Sequence, residues 1–425
     1  MPRVAVLAVL AIFAACGGSG GGTSPSPGGP GATAPPTFAP NCASGTASTP
    51  PPGPSPVPAA GLTVPAGLRI QRLAAVGGAR ELAMLPDGDL LIGTNGSTVA
   101  LLPFAESPTG AFAAHTFATI ADAPDAGVAF SLAQCTIFVG TQNGVYAIPY
   151  AYGDQTARST VKIASIRTGS PPPGSDGDDH LTTSVAYSDF SNLLYVAVGS
   201  SCNACAETDV TRASIFQMTA IGTATTKRAT RIRNGIALTT DPASGHLWVG
   251  DAGQDSLPVG HPFEFVDDVT AHGGVADYGW PDCEEDRVAY TSGAQCGTTI
   301  APVIEFPAYS TNVGAAFYPT QALAPYGLPA QYRGGLFVVR HGSWHTPGGC
   351  SVAPEVDFVP MSGDVPATAV NWSDPTAQWT PFVTGFQTGC SSSTRIGRPT
   401  GIAVGAGGTL FIADDQAGTI YRIRP

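Results

Sequence analysis

Six times along the chain an apolar triplet leads through a turn rich in Gly, Pro, Asp or Asn into a β-branched strand. Leu82-Ala83-Met84 passes through Pro86-Asp87-Gly88 to Leu90-Leu91-Ile92-Gly93, and Val128-Ala129-Phe130 precedes Ile137-Phe138-Val139-Gly140. The phrase returns at Val185-Ala186-Tyr187, Ile236-Ala237-Leu238, Ala315-Ala316-Phe317 and Ile402-Ala403-Val404. Strand-forming repeats spaced by roughly 40 to 50 residues read as blades that bury their faces against one another, so the pattern predicts an all-β, six-bladed β-propeller. The later spacings are longer, which puts large loops on blades four and five and makes those loops the place to look for chemistry.

The N-terminal region is read differently. Arg3 precedes an apolar run, Val4 to Ala15, that is too short to span a bilayer and is followed by small residues, the pattern of an export signal. The run ends in Phe13-Ala14-Ala15-Cys16, which resembles a bacterial lipobox. That resemblance implies a signal peptide over residues 1–16, lipidation of Cys16, and anchoring at the outer membrane or cell surface, periplasmic or extracellular. The alternative is an ordinary secretory signal with an incidental Cys. Residues 17–60 are nearly all Gly, Ser, Pro, Thr and Ala and cannot bury enough surface to offset their ordering entropy, so a disordered tether is expected there. Residues 61–425 then form the propeller domain.

A net charge of −12 with Lys162 and Lys227 as the only lysines argues against nucleic acid as a partner. No later apolar run is long enough to cross a membrane, so the lipid anchor is the only membrane contact expected. Setting Cys16 aside leaves eight of the nine cysteines, an even number in an exported chain, which suggests disulfides. Cys283 and Cys296 flank one loop, and closing it would contribute about 3 kcal/mol. Cys202 and Cys205 form a CxxC with three readings: a local disulfide, a redox-active pair or half of a metal site. Ala206 follows where a c-type haem site would need His, and no second CxxC completes a zinc site. Cys42, Cys135, Cys350 and Cys390 can pair in several ways.

Polar residues uncommon elsewhere in the chain gather in the loops beside the triplets. Asp178-Asp179-His180 precedes Val185; Arg231, Arg233 and Asn234 precede Ile236; Arg395 and Arg398 precede Ile402; and Arg340-His341-Gly342-Ser343-Trp344 leaves the fifth repeat. Propellers bind ligands at one mouth of the central channel, where such loops converge. Several arginines with a histidine beside carboxylates suit a multiply anionic ligand and one proton transfer.

With these residues in place, the chain resembles the glucose/sorbosone dehydrogenases, soluble quinoproteins that bind pyrroloquinoline quinone (PQQ). The resemblance covers most of residues 61–425. Its more specific segments are Tyr278-Gly279-Trp280-Pro281, His341-Gly342-Ser343-Trp344 and Gly199-Ser200-Ser201-Cys202-Asn203-Ala204-Cys205, and the last two point to the sorbosone-dehydrogenase-like branch. It implies His180 as the base that takes a substrate hydroxyl proton while hydride passes to the quinone, with Asp179 or Asp178 to orient it. It also implies PQQ carboxylates held by Arg398 and by Arg231 or Arg233-Asn234, both arginines being expected to face the pocket. Arg340 or His341 would stand in for a lysine that some members carry and this chain lacks. Ca²⁺ would lie on the Gly253 and Gln254 carbonyls, and Trp280 or Trp344 could stack near the cofactor. Leu181-Thr182-Thr183 follow His180 where many members have Gly, which would narrow a sugar site or mean that sugar is not the substrate.

The reading is therefore an aldose or aldehyde dehydrogenase passing electrons to an external acceptor. Two alternatives stay open: a Ca²⁺-dependent lactone hydrolase on the same fold, and a non-catalytic binding propeller.

Overall fold

The computed structural model describes Cys42 and residues 51–172, 178–344 and 349–425. Cys16, the signal segment and most of the expected tether lie outside the described residues. The repeats form six sheets. Their innermost strands are Ala79–Met84, Gly127–Ser131, Thr183–Ser188, Ala237–Thr240, Asn312–Phe317 and Pro399–Val404. Each of these contacts the next, and the last contacts the first, so the ring is closed. All of the triplet residues but Ile236 lie on these strands, and most of them line the channel. The second strands, such as Leu90–Thr94 and Leu336–Arg340, are buried throughout, because neighbouring blades cover both faces; this is why they read as continuous apolar runs.

The sixth blade joins the two ends of the ring. Arg69–Ala75 pairs antiparallel with Thr419–Arg424, so the ring is shut by backbone hydrogen bonds between distant parts of the chain. Val57–Pro58 extends the same sheet against Arg72 and Gln71. Part of the segment expected as tether therefore belongs to the propeller. Cys42, too, is buried and bonded to Cys135. Local composition could not reveal either fact, because the partners lie on distant strands.

The other described cysteines pair as Cys202–Cys205, Cys283–Cys296 and Cys350–Cys390. The first is thus a disulfide rather than half of a metal site. Blade four carries a long insertion between Glu264–Asp268 and Ile304–Phe306, and the Cys283–Cys296 bridge lies within it. No helix among the described residues is long and apolar enough to cross a membrane.

Blade five is held by an aromatic cluster. The fully buried Phe337 ring lies 4.7 Å from Phe382 and 5.1 Å from Phe358, with Tyr332 at 6.0 Å. Phe337→Ala leaves a cavity that this packed cluster cannot fill, so a loss of about 3–5 kcal/mol is expected in denaturant unfolding. A loss under about 1 kcal/mol would mean that the cluster collapses freely.

Candidate active site

In an antiparallel blade the loop entering the innermost strand and the loop leaving the second strand emerge at the same end of the channel. At blades three to five these loops enclose a cavity of about 410 Å³. Its lining includes Asp179, His180, Arg233, Asn234, Gly253 and Trp344. Loops far apart in the chain therefore meet at one mouth.

His180 sits with Nδ1 2.9 Å from the Ser200 carbonyl and 3.0 Å from Ser200 Oγ. The Ser200 hydroxyl itself donates to the Cys202 carbonyl at 2.7 Å. Nδ1 must therefore carry the hydrogen, which leaves the lone pair on Nε2. Among the described residues Nε2 has no hydrogen-bond partner, so it is available to accept a proton. Burial, followed by the charge of Arg233, pushes this imidazole down to about 3, so it is neutral near pH 7.

The orienting group is a carbonyl, not the carboxylate expected. Asp178 is taken by Arg212 through two hydrogen bonds of 2.5 and 2.7 Å, and Asp179 lines the cavity without bonding the ring. Arg167, which the sequence reading missed, fixes the loop: its Nη2 donates to the His180 and Thr182 carbonyls, both at 2.8 Å, and Nη1 to Thr183 Oγ1. Arg167 lies thirteen residues before His180 with no flanking motif to mark it.

Arg233 is the guanidinium of the cavity. Nη1 donates to the Ala252 and Gly253 carbonyls at 3.0 and 2.7 Å, Nε to the Asn203 carbonyl at 3.1 Å, and Nη2 to Asn203 Oδ1 and Asp255. Asn234 follows it into the lining, its N–H bound by Asp251 at 2.6 Å. Arg231 points elsewhere, pairing with Asp277 and Asp282 in a separate cavity beside Trp280 and Pro281. The cause is local: Arg231 has φ +50°, so the chain turns there and residues two apart no longer share a face.

The remaining expected cations lie outside the cavity lining. Arg340 ends a second strand and bonds Glu355 and Asp357 on the third, with its guanidinium over Trp379. Its side chain is spent inside blade five rather than in the cavity. His341 Nε2 meets Asp415 at 3.1 Å, and Asp415 in turn pairs with Arg80 at 2.9 Å; burial pushes His341 down to about 4. Arg398 donates to the His341 and Gly342 carbonyls, and Arg395 to those of Ser343 and Val352. Neither Arg340, His341 nor Arg398 lines the cavity. Arg395 and Arg398 instead brace the loop that delivers Ser343 and Trp344 to it. Trp344, 68% exposed, stands at the cavity, whereas Trp280 packs against Cys202 and Cys205.

Oxygen donors collect behind Arg233. The Ala252 and Gly253 carbonyls converge on one cationic nitrogen, so positive charge is favoured at that point. Gln254 lies outside the lining, its Oε1 buried without a donor. Asp251 and Glu264 are buried nearby. Burial, reinforced by Asp251, raises the Glu264 carboxyl to about 8, and burial raises Asp251 to about 7. Such a donor set suits a hard cation, and the adjoining guanidinium suits an anion.

Glu264 carries a pH signature. Its folded value lies above the unfolded one, so its contribution to stability is complete below about 4.5 and is lost as pH rises toward about 8. Glu264→Gln should flatten the fall in melting temperature across that window, measured without divalent cation. An unaltered slope would show that the carboxylate is ionised and already satisfied.

A neutral histidine base, a guanidinium, and a cluster of oxygen donors in one cavity can bind an anion and remove a proton from a hydroxyl. Known proteins of this shape agree with the fold. The PQQ domain of a pyranose dehydrogenase from Coprinopsis cinerea, in its holo form, superposes with a TM-score of 0.68 at 17% identity, covering 87% of this chain and 98% of that one. A calcium structure of a carbohydrate-active enzyme of family AA12 from Trichoderma reesei gives 0.68 at 19% identity, covering 88% and 97%. An uncharacterized protein of Borreliella burgdorferi is 25% identical over 199 residues, 45% of this chain and 47% of that protein, so the chain spans about half the length of this curated relative. The TrAA12-like family model matches residues 62–273 and 275–425, and the chain belongs to that family.

Proposed function

We propose that this protein is a PQQ-dependent dehydrogenase that oxidises an aldose sugar or a related aldehyde and hands the electrons to an external acceptor. The observation that carries the reading is the meeting of His180, Arg233, Asn234 and the Ala252 and Gly253 carbonyls in one cavity. The family, and neighbours described as PQQ and calcium structures, support it. When bound, the quinone supplies the two-electron sink that accepts hydride from the substrate carbon.

The chain's own residues have the following parts. Arg233 and Asn234 would hold the cofactor's anionic edge, and the Ala252 and Gly253 carbonyls, with Asp251 and Glu264 behind them, would hold Ca²⁺. Trp344 offers an aromatic face at the mouth. His180 Nε2 takes the proton of the substrate hydroxyl, and the Ser200 carbonyl stabilises the imidazolium that results. Asp179 accepts a hydrogen bond from a substrate hydroxyl. Arg231, Arg340, His341 and Arg398 act as structural residues around this set.

His180 is a weak base because it is buried and because the Arg233 guanidinium stands nearby, its ion pair with Asp255 notwithstanding. An anion on Arg233 offsets that charge and raises the basicity of His180 when substrate arrives. The His180 imidazole, followed by NMR, is therefore expected to titrate at higher pH with cofactor than without; an equal midpoint in both states would contradict the coupling. The function is tested by adding PQQ and Ca²⁺ to the purified protein and following dye reduction with a panel of aldoses and aldehydes. Absence of quinone binding, with lactone hydrolysis on Ca²⁺ alone, would replace the reading by a hydrolase.

Four disulfides suit an oxidising compartment, and we place the protein outside the cytoplasm with a lipid anchor at Cys16. Mass spectrometry of the mature N-terminus should find a lipid-modified Cys16.

A further inference from the structure

We propose that Asn203 is the positioning residue for Arg233, and that the Cys202–Cys205 disulfide enclosing it keeps the cavity's guanidinium in its anion-binding place. The inference rests on the reading of Arg233 as the cofactor's cation.

Three of the five guanidinium contacts of Arg233 depend on this turn. Asn203 accepts from Nε through its carbonyl and from Nη2 through Oδ1, at 3.1 and 3.0 Å. The same Oδ1 accepts from the Asp255 N–H at 2.8 Å, and Asn203 Nδ2 donates to the Asp255 carbonyl at 3.0 Å. Asn203 therefore ties Arg233 to the loop whose Ala252 and Gly253 carbonyls take the remaining N–H groups, and it locates Asp255, the second Nη2 partner. Trp280 Nε1 donates to the Asn203 carbonyl at 3.2 Å and packs on the disulfide from the far side.

The turn also reaches the base. Ser200 Oγ donates to the Cys202 carbonyl, and the Ser200 N–H donates to the Arg233 carbonyl at 2.8 Å. One short segment thus orients both His180 and Arg233. A four-residue turn without a covalent link samples many conformers, and only a few present a carbonyl and a side-chain oxygen to one guanidinium together. The Cys202–Cys205 bond removes the others in advance, so binding does not have to.

Asn203 bonds Arg233 and Asp255 of the site lining, while Cys205 lines the separate cavity of about 320 Å³ with Arg212, Lys227, Arg231 and Trp280. A dithiol entering there can attack the Cys205 sulfur. The S–S bond breaks, two electrons and two protons end on the Cys202 and Cys205 thiols, and the dithiol leaves as its own disulfide.

The test uses PQQ with Ca²⁺ as probe, with affinity read by calorimetry, melting temperature by scanning calorimetry and His180 titration by NMR, in wild type, Asn203→Ala and Cys202→Ala/Cys205→Ala. Both variants are expected to bind the quinone roughly tenfold or more weakly, the size of one or two lost charge-assisted hydrogen bonds. Dithiothreitol should weaken wild type likewise, reoxidation should restore it, and the double variant should ignore the reagent, which separates this bridge from the other three. Without quinone, His180 should titrate higher in Asn203→Ala, because Arg233 is no longer held beside it. A lower melting temperature with affinity and His180 titration unchanged would overturn the proposal by leaving Asn203 a purely structural part. If wild type binds no quinone, the functional reading fails. The His180 titration then still decides the positioning role, and an unchanged midpoint in Asn203→Ala overturns it.

Discussion

His180→Ala is expected to leave quinone binding nearly intact and to slow reduction by substrate by roughly two or more orders of magnitude, the usual size of a general-base contribution. The split follows from the hydrogen bonds. His180 spends Nδ1 on Ser200 and carries no charge, so it contributes little to holding an anion. Its Nε2 lone pair is the group that the reaction consumes. Stopped-flow reduction of the preloaded protein separates the two quantities. A variant that binds normally and reduces at the wild-type rate would place the base on another residue, with Asp179 the first to examine. A variant that loses binding instead would make His180 part of the cofactor cradle.

Arg233→Ala should do the reverse. The variant removes a cationic side chain from the cavity lining and with it the charge attraction for the quinone carboxylates, so quinone affinity should fall by roughly one to two orders of magnitude. Arg233→Lys keeps the charge but loses the fork that reaches Asn203 and the Ala252 and Gly253 carbonyls together, and should recover only part of the loss. His180 should titrate at higher pH in Arg233→Ala than in wild type, because one cause of its depression has gone. Affinity unchanged in both variants would mean that the anion binds elsewhere. Arg398→Ala, by contrast, removes a brace from the His341 and Gly342 carbonyls and should act through the order of the 341–344 loop.

The ring was legible because each apolar triplet became an innermost strand: Val185-Ala186-Tyr187 lies in Thr183–Ser188, and Ile402-Ala403-Val404 in Pro399–Val404. Local period and turn chemistry decide such elements, and both are visible in the sequence. The place of His180 at the mouth was legible for the same reason, since it stands directly before an innermost strand. The cations were less so. Arg231 and Arg233 look equivalent until the left-handed turn at Arg231 sends the first away. Arg340 looks available until Glu355 and Asp357 arrive from the next strand. A guanidinium has five donors, and whether loop carbonyls or a ligand satisfy them depends on backbone paths that composition does not encode. Asn203 did carry a signal, its position inside the CxxC, but its acceptor role appears only when Arg233 and Asp255 are brought beside it.

If an anionic quinone binds beside His180 against Arg233, a crystal structure of the protein soaked with PQQ and Ca²⁺ will show it there. Expected are a cofactor carboxylate facing the Arg233 guanidinium, the cation on the Ala252 and Gly253 carbonyls, and His180 Nε2 facing the space left for substrate. Quinone density away from Arg233, or a cavity that stays empty under conditions where solution binding is measured, would contradict it.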